Sequence, residues 1–466
     1  MFIKKLFNII KNYIIKLVYI IFIYLNIKMK KEQLTLFLLN AISSMGYSLI
    51  APLFPPLFKE RFISNLTCSY LISIFCATNI LAAFTCSYLC QKFGQKILFL
   101  ISALMNSLTI ILYGFIIYIT NNKYFLIFSF INRTIHGFVS ATINVISFAI
   151  TSQINIGKEL ELATGYMELS WQIGLTIGPV LIGATFDYVG YSIPFIIIGC
   201  FSLSGVYCIY YYIYLIDLEK LEQEVKKNDE GYIDLNSNDI SDNESIITAI
   251  KYKPTVFLTL CLIIQLNTID FCVPTLVNHL KDNFDISTSR ASLFFLFSTI
   301  GSAIATQLIT KFTDCFNNYQ LMYYGLYLGA FFVLYIPPIG ILPQNYIMIL
   351  IGIFAEGFLS ALINIPCFVE LANMGKKIFP KNKNLQQNVP SSLFNLCFYT
   401  GDLTEPVIGS WFTKNFNFSA SAYFTCILNI IYGIIFGYFF RPEIKGIEKN
   451  EEQLIDKKLS NIIQNE

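Results

Sequence analysis

Residues 165–183 read GYMELSWQIGLTIGPVLIG, with glycine at 165, 174, 178 and 183 and proline at 179. The run lies inside an apolar segment long enough to cross a bilayer. In hydrocarbon, Gly and Pro are tolerated where neighbouring helices re-satisfy the backbone. Gly174 and Gly178 stand four apart on one helical face, so a second helix can approach closely. Pro179 removes a backbone donor and crowds the preceding turn, which predicts a kink at Gly178-Pro179. Helix packing is enough to explain these glycines.

Composition around this stretch agrees with membrane. The 466-residue chain is 55% apolar, 16% aromatic and 13% charged. Soluble domains carry about 25% charge. The net charge of +2 implies no strong electrostatic partner, and no basic patch suggests nucleic acid. Of the 12 cysteines, Cys76, Cys86, Cys200, Cys208 and Cys261 are scattered singly in apolar segments. They read as small hydrophobes, with no zinc or disulfide spacing. No phosphate loop, metal cluster or nucleophile triad is found, so neither an enzyme, a metal site nor a cofactor is expected.

Twelve segments are long enough to span a core of about 30 Å. They lie near 34–57, 68–90, 97–120, 124–152, 163–186, 193–216, 254–278, 289–311, 318–338, 346–372, 389–413 and 418–440. Residues 1–33 form an N-terminal segment, of which 1–28 reads as dispensable because Met29 opens a second plausible start. Residues 34–216 make one six-helix half and 254–440 the other. The acidic, aromatic-poor stretch 217–253 reads as a flexible cytosolic linker, and 441–466 as a cytosolic tail. The expected fold class is an all-α polytopic membrane protein, with twelve transmembrane helices in two pseudo-symmetric halves.

Lys and Arg decide the expected orientation. With residue 29 inside, twenty fall on the inner side and six on the outer. Both termini are therefore expected in the cytosol. The sequons at Asn65 and Asn417 then fall in outer loops.

The embedded charges are where chemistry is expected. Arg133 lies about nine residues into the fourth span, followed by His136 and Gly137. An Arg at that depth faces a cavity or a carboxylate, either as a helix-locking ion pair or in coupling. An imidazole titrates near neutral pH, and His136 reads equally as a hydrogen-bonding core residue. At about 1.5 Å per residue, Glu356, Asp402 and Glu405 come near the midplane. Asp270 lies in the outer half, Glu168 one to two turns from the inner face, and Glu370 at an interfacial end. Five embedded acids against one Arg make an acid-rich interior. Desolvation penalises the charged form of a carboxylate, and any that stay ionised attract cations. Both suit exchange of protons for a cationic or amine solute, although about half of such acids serve only as neutral helix linkers. Trp171 and Tyr166 are expected to add cation–π contacts near the cavity. The eleventh span echoes the fifth: Gly401, Glu405-Pro406 and Gly409 parallel Gly174, Gly178-Pro179 and Gly183.

The whole glycine pattern of 165–183 resembles the fifth-helix motif of antiporters in the major facilitator superfamily. The run Arg133, His136, Gly137 is similar to the fourth-helix motif of those antiporters. In the loop SYLCQKFGQK, Leu89, Lys92, Gly94 and Lys96 fit the superfamily's loop motif. Ser87 replaces a Gly and Gln91 an acid that holds an inner gate, which puts that gate's charge pairing in doubt. The first span SSMGYSLIAPLFPPL, together with GYMEL at 165–169, FDYVGYSIPF at 186–195 and VPTLVNHL at 273–280, looks like the vesicular amine transporter group, most of all its polyamine-carrying branch. Ser43 stands where monoamine carriers hold an acid, so monoamine specificity does not carry over.

The resemblance implies a proton-coupled antiporter of an organic cation or amine, working by alternating access. Its partners would be a small solute, protons and the lipid bilayer, in a monomer. A vesicular, lysosomal or plasma membrane is expected. A facilitator of a neutral or anionic solute such as a sugar or organic acid, or a non-transporting membrane receptor, are the other readings.

Overall fold

A computed structural model describes residues 30–215, 246–270, 273–286, 292–337 and 345–445. The expected N-terminal segment before residue 30, most of the linker and most of the tail lie outside the described residues. Among the described residues every regular element is helical.

The helices follow the expected spans. The first span is two helices, Lys31–Ser48 and Ile50–Glu60. The second to sixth are Asn65–Phe93, Gln95–Ile116, Asn122–Ile154, Lys158–Val189 and Ser192–Leu215. A short helix, Ile246–Ile250, precedes the seventh span, which is again divided, into Lys253–Asp270 and Val273–Phe284. Then come Phe295–Cys315, Asn318–Phe332, Tyr346–Ile378, Lys383–Asn415 and Phe418–Phe439. Six of these are long and apolar enough, each by itself, to cross a membrane. Among the described residues, Ser192–Val206 of the sixth span is a shorter apolar stretch. The first span buries Asn40, Ser43, Ser44 and Ser48.

Short caps end the helices where the chain turns. Asn121, Asn317, Asn382 and Asn417 each accept a backbone N–H at a helix start. Gly94 joins the second and third spans at φ +82°, a conformation that side-chain-bearing residues rarely adopt. Arg61 donates to the carbonyls of Ile117 (2.7 Å) and Ile119 (2.6 Å), closing the end of the third span.

Consecutive spans alternate in direction. Lys30 reaches the Ile154 carbonyl and Glu159, Gln153 reaches Gln95, and Asn317 reaches the Glu443 carbonyl. Both ends of the helical body therefore lie at one end of the bundle, with the 94–96, 154–158 and 315–318 turns. We call this the lysine-rich end.

The fifth span is one continuous helix through Pro179. A Cβ on Gly174 would lie 2.2 Å from the Ala41 carbonyl and 1.8 Å from Ser44 Oγ. One on Gly178 would lie 2.0 Å from Ser48 Oγ. Both glycines thus press on the first span, and Ser48 Oγ donates to the Gly174 carbonyl at 3.2 Å. Gly165 stands nine residues earlier, half a turn round the helix. Its Cβ would meet Thr306 and Ile365 of the other half, at 2.5 and 2.8 Å.

Gly174→Ala must push the first span's backbone away. We expect a loss of about 1–3 kcal/mol, read as a lowered thermal midpoint in detergent. Gly205→Ala, whose Cβ would meet only Leu39 at 3.6 Å, should leave the midpoint unchanged.

Candidate functional site

The two halves meet along the fifth and eighth spans, which run antiparallel. Four side-chain pairs mark the seam: Lys158 with Asp314, Glu161 with Thr313, Tyr166 with Gln307, and Thr176 with Thr299. From Lys158 to Thr176 the seam covers about 27 Å of helix, close to a full hydrocarbon thickness.

Inside the lysine-rich end, three rings close the gap between halves. Phe148 of the fourth span packs on Phe368 of the tenth and Phe394 of the eleventh, each with centroids 5.1 Å apart. Phe368 and Phe394 lie 5.0 Å apart. All three are buried. Beside this plug a polar chain crosses the halves. Asn40 Nδ2 donates to Asn144 Oδ1 at 3.0 Å, and Asn144 Nδ2 donates to the Tyr399 hydroxyl at 3.2 Å.

Nearer mid-membrane, an aromatic stack lines the N-terminal half. Phe75 stacks on Tyr47 (4.5 Å) and Tyr47 on Trp171 (6.4 Å). The Arg133 guanidinium lies 4.3 Å from the Phe75 centroid and 5.0 Å from that of Tyr47. Arg133 is 1% exposed, and its Nε and Nη1 have no hydrogen-bond partner. A desolvated cation over two rings gains roughly 2 kcal/mol or more. The Asp402 carboxylate of the eleventh span comes close enough to act on Cys76 of the second span, across the halves. Tyr47, Trp171 and Asp402 are half-buried.

The remaining expected residues are spread over separate places. Glu168 is buried in the seam and faces Asn364 of the tenth span, with no hydrogen bond to either oxygen. Its helix starts at Lys158, so Glu168 lies about 15 Å from that start, deeper than the span's expected start implied. His136 is fully buried inside the N-terminal half, edge-on to Phe75 (5.2 Å) and Tyr113 (5.6 Å). Glu356 is 1% exposed and points toward the ninth span, where a Cβ on Gly329 would stand 3.8 Å from its Oε2. It belongs to the interior of the C-terminal half. Asp270 and Glu405 lie on described helical backbone, and their side chains are outside the described set, as are the surroundings of Gly183. Tyr166 is buried in the seam, accepting from Gln307, while Trp171 is half-buried and stacks on Tyr47. Glu370 accepts from Asn318 at the lysine-rich end (2.6 Å). Ser43 bonds Ser140 at 2.8 Å.

Asn144, Tyr399 and the three-ring plug were not among the expected residues. A signal for them exists in the chain. Gly137, Phe138, Ser140, Ala141, Ile143, Asn144 and Phe148 recur, each 220 residues later, as Gly357, Phe358, Ser360, Ala361, Ile363, Asn364 and Phe368. The two copies behave alike in space. Gly137 packs on Phe75 and Thr78 of the second span, and Gly357 on Ser298 of the eighth. Asn144 reaches the eleventh span and Asn364 faces the fifth. Phe148 and Phe368, one position in two copies, meet each other. The repeat makes His136 and Glu356 equivalents as well.

Comparison with known proteins agrees with this architecture. The family model described as Major Facilitator Superfamily matches residues 36–383 and again 258–464. The rat MFS-type transporter SLC18B1 is 21% identical over 443 residues, covering 92% of this chain and 91% of the relative. Multidrug resistance protein 1 of Bacillus subtilis is 23% identical over 331 residues, 69% of this chain and 77% of that protein. The crystal structure of the superfamily transporter FucP in the outward conformation superposes with a TM-score of 0.62 at 13% identity, over 88% of this chain and 99% of that one. The kinship with the vesicular amine transporter group expected from the motifs is borne out by the SLC18B1 relatives. The chain belongs to the Major Facilitator Superfamily, as a multi-pass membrane transporter and not an enzyme.

Proposed function

We propose that the protein exchanges protons for an organic cation or amine, by alternating access between its two halves. The observation that carries this reading is the half-buried set of Trp171, Tyr47 and Asp402, which we take to border the solute's space. A protonated amine needs a carboxylate for its charge and aromatic faces for its flanks. Asp402 supplies the first, and Tyr47 and Trp171 the second. Glu168 is a separate buried carboxylate, placed where the halves slide on each other. It is the residue we assign to proton exchange.

The closure at the lysine-rich end supports alternation. Among the described residues, rings, hydrogen bonds and one exposed ion pair join the halves there, contacts that are individually weak enough for a rocking motion to part. With the lysine-rich end in the cytosol, the solute's space would be loaded from the far side. A monomer in a vesicular, lysosomal or plasma membrane fits this reading. Arg133 favours a second one. Its unpartnered Nε and Nη1 near the same space would suit an anionic solute.

Reconstitution into liposomes separates the two. An imposed pH gradient should drive uptake of labelled amines, and neither sugars nor carboxylates should compete. Uptake of a carboxylate, or indifference to the gradient, would favour the second reading. Glu168→Gln should abolish gradient-driven uptake while solute binding persists. Asp402→Asn should weaken amine binding at least tenfold, measured by equilibrium dialysis. Phe368→Ala removes two ring contacts, each about 0.5–1.5 kcal/mol beyond area burial. It should make a cysteine placed at Asn144 react faster with a thiol reagent added from the lysine-rich side.

A further inference from the structure

The lysine-rich end of the seam carries a group of charges apart from the buried acids. Glu161 opens the fifth span and is 7% exposed. It accepts from Thr313 Oγ1 of the eighth span at 2.7 Å, across the halves. One turn before it, Lys158 pairs with Asp314, also across the halves. That pair is exposed on both sides, 60% and 54%, and such a pair contributes little alone. Glu159 points the other way and pairs with Lys30 of the first span at 2.9 Å. The charges that act on Glu161 are therefore Lys158 on its own helix, Asp314 on the eighth span and Glu370 on the tenth. Glu370 is itself held by Asn318. Two acids and one lysine thus surround a buried acid that is hydrogen-bonded across the halves.

We propose that Glu161 is a proton-binding site that controls which way the carrier faces: a proton on it holds the lysine-rich end shut. This rests on the halves parting at that end, as in the reading above, and adds a site to it. The sign follows from the surroundings. Burial pushes the Glu161 carboxyl above the usual carboxylate range, Thr313 and Lys158 pull it back, and Asp314 and Glu370 push it up again. When the halves part, Glu161 returns to water and to its ordinary titration. The shut state therefore binds the proton more tightly than the open one. By linkage, acid on the lysine-rich side favours the shut state, and alkali frees it. A protonated Glu161 also ends the repulsion from Asp314 and Glu370, and its carbonyl oxygen still accepts from Thr313. The effect differs from proton-driven exchange at Glu168, since it needs no solute and no gradient.

The test is a distance between spin labels at Lys92 and Lys377, one on each half at the lysine-rich end, in full-length protein with its reactive cysteines replaced. No solute is present. Between about pH 8 and pH 5 the wild-type population should move toward the short distance, by at most about tenfold per pH unit for one linked proton. Glu161→Gln should give the short distance at every pH, with thermal stability retained. A Glu161→Gln variant that keeps the wild-type pH dependence, or that shifts to the long distance, would overturn the proposal. Phe148→Ala with Phe368→Ala, which removes the buried ring contact between the halves, provides the control for motion. That pair should lengthen the distance and leave the pH dependence in place. A distance that neither pH nor the double variant can change would overturn both this site and the alternating motion beneath it.

Discussion

The fifth span touches two partners at once, and the rest of the molecule depends on its doing so. Its backbone must come within contact of the first span on one face and of the other half on the opposite face. No side chain larger than hydrogen fits at Gly174 on one side or at Gly165 on the other without a clash. Lipid offers no hydrophobic drive for helix association, so close approach and dispersion contacts hold such helices together. The same closeness puts Glu161, Tyr166 and Thr176 within reach of hydroxyl and amide groups on the eighth span. The seam is thus held by contacts that are individually weak, which suits surfaces that must part.

The internal repeat of the fourth and tenth spans extends this logic across the pseudo-two-fold axis. Duplicate chains related by such an axis bring one position of each copy together on it. Phe148 and Phe368 meet in this way and close the lysine-rich end. Asn144 and Asn364 each look outward from their own half toward the other. The copies have also diverged. Arg133 has Ile353 as its counterpart, and His136 has Glu356. The N-terminal half holds a cation against aromatic faces, while the C-terminal half offers carboxylates.

Most of the span pattern was readable from the chain, because twenty consecutive apolar residues have few other uses. The motif glycines were readable too, and their packing role proved sufficient for 165, 174 and 178. The acids were readable as embedded and unreadable as to direction. A shift of 100° per residue separates the seam from a half's own interior, so Glu168 and Glu356, both well inside the bundle, end in different places. Tyr166 and Trp171, five residues apart, divide between the buried seam and the half-buried aromatic stack for the same reason. Glu161 gave no signal at all, as an acid in a helix's first turn is ordinary until a partner covers it.

Sequence by itself determined that this chain crosses a membrane in two six-helix halves with charge held inside. Backbone amides cannot be left unpaired in hydrocarbon, and apolar length and lysine placement leave little freedom. Tertiary structure alone decided which charge lies against which rings, which rings shut the lysine-rich end, and which acid bonds across the halves. Those outcomes depend on helix rotation and on contacts between residues more than a hundred positions apart, and local pattern carries neither.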